Sequence, residues 1–171
     1  MTATSVLTQI PDNTSFLQTT KFTFVIPNLP FAKYFCQTVT MPGVSTTEAL
    51  VPTPLSDTFR TGDKLNYDPL TITFLIDEDL RVWEESYQWL VSLTKPVQFG
   101  QYRQKFPEKY YDAILTINTN ANNPNLRFKF RNCHPVTLGS IQFATTDNAD
   151  VTPVADLTFR YDYFEIERLN T

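Results

Sequence analysis

The sequence predicts a mainly β domain, an antiparallel sandwich or barrel of about six to seven strands with one α-helix, belonging to the all-β or α+β class. Three observations predict it. Apolar and polar residues alternate over much of the chain, the period of a half-buried strand. Helical spacing appears in one stretch only, around residues 80–91. The chain carries 14 Phe and 8 Tyr and is punctuated by 12 prolines rather than by its 4 glycines, a composition that favours sheets with stiff connections. At 171 residues it fits a single hydrophobic core. Residues 1–20 are polar and aperiodic and read as an arm that is loose or ordered only by a neighbour, leaving 21–171 as one domain.

The elements follow in order. Phe22, Phe24 and Ile26 share one face of a strand that Pro27 and Pro30 stop. The stretch "AKYFCQTVTMPG" predicts a second strand, with Tyr34, Cys36, Thr38 and Thr40 on one side, ended by Pro42 and Gly43. Residues 44–63, with Pro52, Pro54 and a Thr-Gly-Asp turn, read as a long loop. Its apolar content (Val44, Leu50, Val51, Leu55, Phe59) makes it a candidate interaction element. Leu70, Ile72, Phe74 and Ile76 then define a core strand. Leu80, Trp83, Tyr87, Leu90 and Val91 fall on one face of the helix, which Asp77 or Asp79 could cap. A loop with Pro96, Gly100 and Pro107 leads to a strand through Tyr111, Ala113, Leu115 and Ile117. After an Asn-rich turn, Leu126, Phe128 and Phe130 alternate with Arg127, Lys129 and Arg131, the pattern of a half-exposed strand with a cationic face. Pro135 with Gly139 predicts a corner, "TLGSIQFATT" a further strand, and "VADLTFRYDYFEIERL" a single closing strand.

No function class built on a chemical site finds support. Cys133 and His134 are neighbours in an extended segment, so their side chains point to opposite faces and cannot act as a dyad. Cys36 could reach His134 only across the fold, and no nucleophile elbow or glycine-rich turn surrounds either cysteine. Asp77, Glu78 and Asp79 open a helix, where the macrodipole favours acids. One His and two Cys cannot complete a zinc site without carboxylates, and neither a phosphate-cradling nor a calcium loop occurs. No catalytic, cofactor or metal residues are therefore expected. A net charge of −4 argues against a surface that grips nucleic acid. No apolar run approaches the roughly 18 to 20 residues that span a bilayer, and the N-terminus lacks the features of a secretory signal. Abundant strands, aromatic residues and apolar loops instead suit self-association through strand edges and the 44–63 segment. The inter-subunit candidates are Val44, Leu50, Val51, Leu55, Phe59, Arg127, Lys129 and Arg131.

Several motifs occur in an informative order: "TVTMPG", then "GDKLNYDPLTITFLIDED", then the tryptophan-bearing "WEESYQWL", then "HPVTLGSIQF" and "ADLTFRYDYFEI". In this order and spacing, over roughly two-thirds of the chain, the sequence resembles the tail tube proteins of contractile-tailed bacteriophages. The resemblance implies a non-enzymatic virion protein whose β domains close hexameric rings. These would stack into an inner tube within a sheath, assembled in the host cytoplasm. It implies tail sheath, baseplate and tail terminator proteins as partners, transient passage of DNA through the lumen without specific binding, and no membrane anchor. The same fold is shared with tube proteins of contractile secretion systems and with baseplate tube-initiator rings, and a baseplate hub or initiator ring is the alternative station. A monomeric β-sandwich module binding carbohydrate or peptide is the alternative from another class, and a thiol enzyme the third. The acidic balance predicts a lumen that repels DNA phosphates.

Overall fold

The computed structural model describes residues 14–94, 96–102, 108–146 and 151–169. Nine strands and two helices lie among them: β1 (Phe22–Val25), α1 (Ala32–Phe35), β2 (Cys36–Thr40), β3 (Val44–Pro52), β4 (Asp57–Tyr67), β5 (Leu70–Leu75), α2 (Arg81–Leu93), β6 (Tyr111–Asn118), β7 (Pro124–Leu138), β8 (Val154–Arg160) and β9 (Tyr163–Arg168). The mainly β class with one substantial helix is as the periodicity predicts.

Seven strands form one bent antiparallel sheet, six of them in the order β1-β6-β7-β8-β5-β2 with β9 off this path beside β7, and β3 and β4 form a separate two-stranded ribbon. The bend lies in β7. Its first half pairs with β6 on one side and β9 on the other, whereas its second half pairs with β8. Asn132 makes the change of partner possible. It adopts a left-handed conformation (φ 57°), which Asn tolerates better than most side chains, and one extra β7 residue is accommodated opposite Tyr111–Ala113. The inward set therefore shifts from Phe128 and Phe130 to Cys133 and Pro135, all four buried. The amide N–H of Asn132 donates to Asp112 Oδ1 at 3.2 Å and its side-chain Nδ2 to Asp162 Oδ2 at 2.6 Å, which fixes the bulge from both flanks. Pro135 is thus not a corner. It lies within β7 opposite Phe159, and the chain turns at Asn132 instead.

The core is one cluster in which Phe24, Leu70, Ile72, Phe74, Phe130, Leu157 and Phe159 meet Trp89 of α2. Burial of each such side chain is worth about 1.5–3 kcal/mol. Trp89 lies edge-on to Tyr111 at 5.6 Å and tilted against Phe159 at 5.9 Å, so it ties the helix to both halves of the sheet.

Six further expectations are corrected. The strand placed on Ala32–Phe35 is a helical turn, because Pro27 and Pro30 set up successive tight turns closed by Leu29 N–H to Ile26 O and Ala32 N–H to Leu29 O, both 3.1 Å. The 44–63 loop is the hairpin β3–β4. Neither Asp77 nor Asp79 caps α2: the cap residue is Leu80, in a left-handed conformation (φ 54°) and without a side-chain cap bond. The helix buries Val82, Ser86, Trp89 and Ser92 rather than the Trp83–Tyr87 stripe, since two serines let the backbone approach the sheet closely. Ser86 Oγ satisfies itself by donating to Val82 O at 2.7 Å, and Trp83, half-buried at the edge of the core, stacks on the exposed Tyr87 at 5.7 Å. Finally, β7 ends at Leu138 and residues 139–146 form no strand. The closing strand is two strands, β8 and β9, broken where Asp162 N–H bonds Arg131 O at 3.1 Å. The expectation for the first 13 residues lies outside the described residues.

Candidate functional site

The β3–β4 hairpin is amphipathic and its apolar face is bare. Register pairs Val44 with Tyr67, Thr46 with Leu65, Glu48 with Thr61 and Leu50 with Phe59, which places these residues on one face. Phe59 is 65% exposed, Leu50 55% and Leu65 54%, in a ribbon over which no second layer lies among the described residues. Val51 lies on the other face opposite Thr58, and Leu55, almost fully exposed, sits in the connecting turn. A bulge between Thr46 and Glu48 brings Gly62 against Thr47, where an added Cβ would come within 2.6 Å of the Thr47 carbonyl oxygen. Only glycine fits there. At its base the hairpin is anchored: Tyr67 packs on Phe164 at 5.4 Å and Tyr161 at 5.8 Å, and Asp68 N–H bonds Gly43 O at 3.0 Å. A contiguous apolar face left in solvent on a paired ribbon characterises an interaction surface.

The second feature is open backbone. Among the described residues β1 pairs only with β6, β2 only with β5, and β9 only with β7, so each offers an unfilled edge. The β1 and β2 edges share an apolar cleft of about 530 Å³ with Leu17, Met41, Leu115 and Ile117 among its walls. On β9, Ile166 stands opposite Phe128 on the core-facing side yet is 61% exposed, because no strand lies beyond it.

The third feature is a charge ladder. Arg127, Lys129 and Arg131 project from the outer face of β7, as their alternation predicts, and each meets a carboxylate of the same chain. Glu167 accepts from Lys129 at 3.0 Å and from Arg127 at 3.3 Å, while Arg131 bonds Glu165 at 2.9 Å and Asp112. The Lys129 ammonium, with Arg127 behind it, holds the Glu167 carboxyl below its ordinary value. Glu165 and Asp112 hold the Arg131 guanidinium above its own.

The thiols do not approach a catalytic arrangement. Cys133 is buried with its thiol pushed up to about 12, and burial pushes the half-buried Cys36 up to about 11. The thiolate is the reactive form, so both are poor nucleophiles at neutral pH. His134 packs edge-on against Tyr110 at 5.4 Å. Cys36 lies on β2, separated from β7 by β8 and β5, roughly 14 Å at ordinary strand spacing and beyond hydrogen-bond reach. Asp79 pairs with Arg81 at 2.7 Å, and no cluster of His, Cys, Asp or Glu among the described residues could hold a metal ion. No helix among them is long and apolar enough to cross a membrane.

The eight predicted contact residues thus separate. Val44, Leu50 and Phe59 converge on one hairpin face, Val51 and Leu55 flank it, and the three cations lie on a different sheet. Sequence reasoning missed Leu65, which the hairpin register reveals, and Ile166, which the alternation placed on the side opposite Leu157 and Phe159 because it ignored the break at Asp162.

Comparison with known proteins identifies the family. The family model described as phage tail tube protein matches residues 4–167. The tail tube terminator protein of Enterobacteria phage T4 is 26% identical over 156 residues, covering 88% of each chain. Among solved structures, the tube-terminating cap of the anti-feeding prophage superposes with TM-score 0.67 at 12% identity, covering 96% of this chain and 99% of that one. A subunit of the sheath-tube complex of the PVC extracellular contractile injection system superposes with TM-score 0.63 at 14% identity, covering 98% and 100%. At such identities these likenesses speak for the fold, whereas the family match spans nearly the whole sequence. The chain belongs to the phage tail tube protein family, structural components of the virion tail.

Proposed function

We propose that the protein is a ring-forming subunit whose copies close a hexamer coaxial with the inner tube of a contractile tail. The observation that carries this reading is the set of unfilled strand edges on β1, β2 and β9, together with an apolar cleft between two of them and an uncovered Ile166 beside the third. Exposed edges invite pairing with another chain, and a head-to-tail contact between copies closes into a ring when its rotation allows. In this reading β9 of one copy joins the β1–β2 seam of the next. The hairpin face with Val44, Leu50, Phe59 and Leu65, together with Val51 and Leu55, contacts neighbouring copies or an adjoining ring. The role is structural, with the sheath and the rest of the tail as partners and DNA passing through the lumen without specific binding.

Two stations suit such a ring. The relation to a tube terminator over 88% of both chains favours a terminal ring at the end of the tube. The family description, phage tail tube protein, favours a subunit of the stacked tube itself. Copy number per particle separates them, since a terminator supplies one ring and a tube subunit many. The shared reading is tested on the purified chain by sedimentation and negative-stain imaging. Rings of near six-fold symmetry are expected, and a chain that stays monomeric at high concentration overturns it.

A further inference from the structure

The four strands β1, β6, β7 and β9 form one continuous sheet whose two outer strands both have unfilled edges. One face of this sheet carries Phe24, Leu115, Phe128 and Phe130 into the core. The other carries Asp112, Arg127, Lys129, Arg131, Glu165 and Glu167, set side by side by the register Lys129–Glu165 and Arg127–Glu167 across β7 and β9. Joining copies through β9 and β1 makes this sheet the continuous wall of the ring. The bulk of each subunit, with its core and α2, lies on the apolar side of that wall and has room only outside the ring. The charged face must then look inward.

Its charge differs from that of the molecule. The chain as a whole is −4, but this face sets three cations against three carboxylates, each cation held by an ion pair within the chain. We infer, on the ring reading above, that this face lines the channel and that Asp112, Glu165 and Glu167 serve to withhold Arg127, Lys129 and Arg131 from a polyanion moving past it. Unmasked cations on a channel wall would bind phosphates by counterion release, and their number would multiply with the copies in the ring. A wall of paired charges presents dipoles to DNA and lets it slide.

The test uses the full chain with Glu165→Gln and Glu167→Gln, two exposed changes that leave the core untouched. Preformed rings are mixed with linear duplex DNA and, separately, with the same sequence as a covalently closed circle, which cannot thread a closed ring. Wild-type rings are expected to bind neither. Variant rings are expected to gain at least about tenfold in affinity for the linear duplex at about 50 mM salt, to lose it by about 200 mM, and to gain nothing for the circle. Adding Arg127→Gln and Lys129→Gln to the variant is expected to return it to the wild-type level. Equal gain on circle and linear duplex places the face outside the ring and overturns the inference, as does the absence of any gain in variants that still form rings. Failure of the wild-type chain to form rings overturns the parent reading instead, whatever its DNA binding. If the double variant does not fold, Glu167→Gln alone carries the same comparison through Arg127 and Lys129, whose ion pairs both run to Glu167.

Discussion

Asn132 decides which side chains of β7 reach the core. Its left-handed backbone inserts the extra residue that moves the inward set from even to odd positions, and its Nδ2 bond to Asp162 fixes the start of β9. Asn132→Ala is expected to cost about 1–2 kcal/mol by urea unfolding, and Asn132→Gly less, because glycine keeps the conformation and loses only the hydrogen bond. Equal losses for the two would remove the backbone from the explanation. The thiols give a second prediction at this scale. With pKa values pushed up to about 11 and about 12 by burial, Cys36 and Cys133 should resist iodoacetamide at pH 8 in the folded chain and react readily in guanidinium. Rapid native labelling of Cys133 would contradict its burial. Glu167 supplies the pH dependence. Its folded pKa is depressed by Lys129 and Arg127, so its contribution is present above the ordinary carboxyl value of 4.5 and is lost as pH falls through the depressed one. Glu167→Gln should flatten the fall of Tm below that value, and an unchanged acid limb would mean the pairs do not persist in solution.

At the scale of elements, alternation reads well where one face is buried and poorly where neither is. Leu70, Ile72 and Phe74 on β5 alternate with Thr71 and Thr73, and Ala113 and Leu115 on β6 are buried between the half-buried Asp112, Ile114 and Thr116, so their strands were legible in the sequence. Every residue from Val44 to Thr61 is exposed, so no buried face imprints a period on β3 and most of β4, and Pro52, Pro54 and Gly62 resemble loop punctuation. The helix was legible but its buried face was not, because Ser86 and Ser92 occupy core positions that a search for apolar residues passes over. The turn at Asn132 was hidden for a related reason: proline signals a corner more loudly than asparagine does, although only the latter takes the positive φ. The hairpin carries this scale's prediction. Leu50→Lys with Phe59→Glu should abolish higher assembly seen in sedimentation while leaving the unfolding free energy of the subunit within about 1 kcal/mol, since both side chains are more than half exposed and the opposite charges face each other across the ribbon. Assembly at wild-type concentrations would remove the hairpin face from the contact, and a large loss of stability would make it part of the fold.

For the whole molecule the question is which apolar groups complete the subunit and which await another copy. The candidate surface was half legible: the apolar content of 44–63 and the cationic alternation of 127–131 are written in the sequence. That the cations are already matched within the chain depends on β9 lying beside β7, a contact between residues far apart in sequence that no local pattern announces. Ile166 separates the two kinds of apolar group. It belongs by register to the same face as Phe128 and Phe164, yet beyond it lies an unfilled edge. Phe130, fully buried on that face, serves as the contrast. Phe130→Ala should cost about 3–5 kcal/mol and disturb folding and assembly together. Ile166→Lys gives up only the partial packing of a side chain already 61% exposed and can extend its ammonium into solvent, so the monomer's unfolding should move by less than about 1 kcal/mol. If a neighbour's strand covers β9, the same lysine must be buried without a partner, and rings should give way to monomers at concentrations where the wild-type chain assembles. Rings that form from Ile166→Lys with undiminished concentration dependence would show that β9 is not where the copies meet, and the seam would have to be sought along the remaining edge strands.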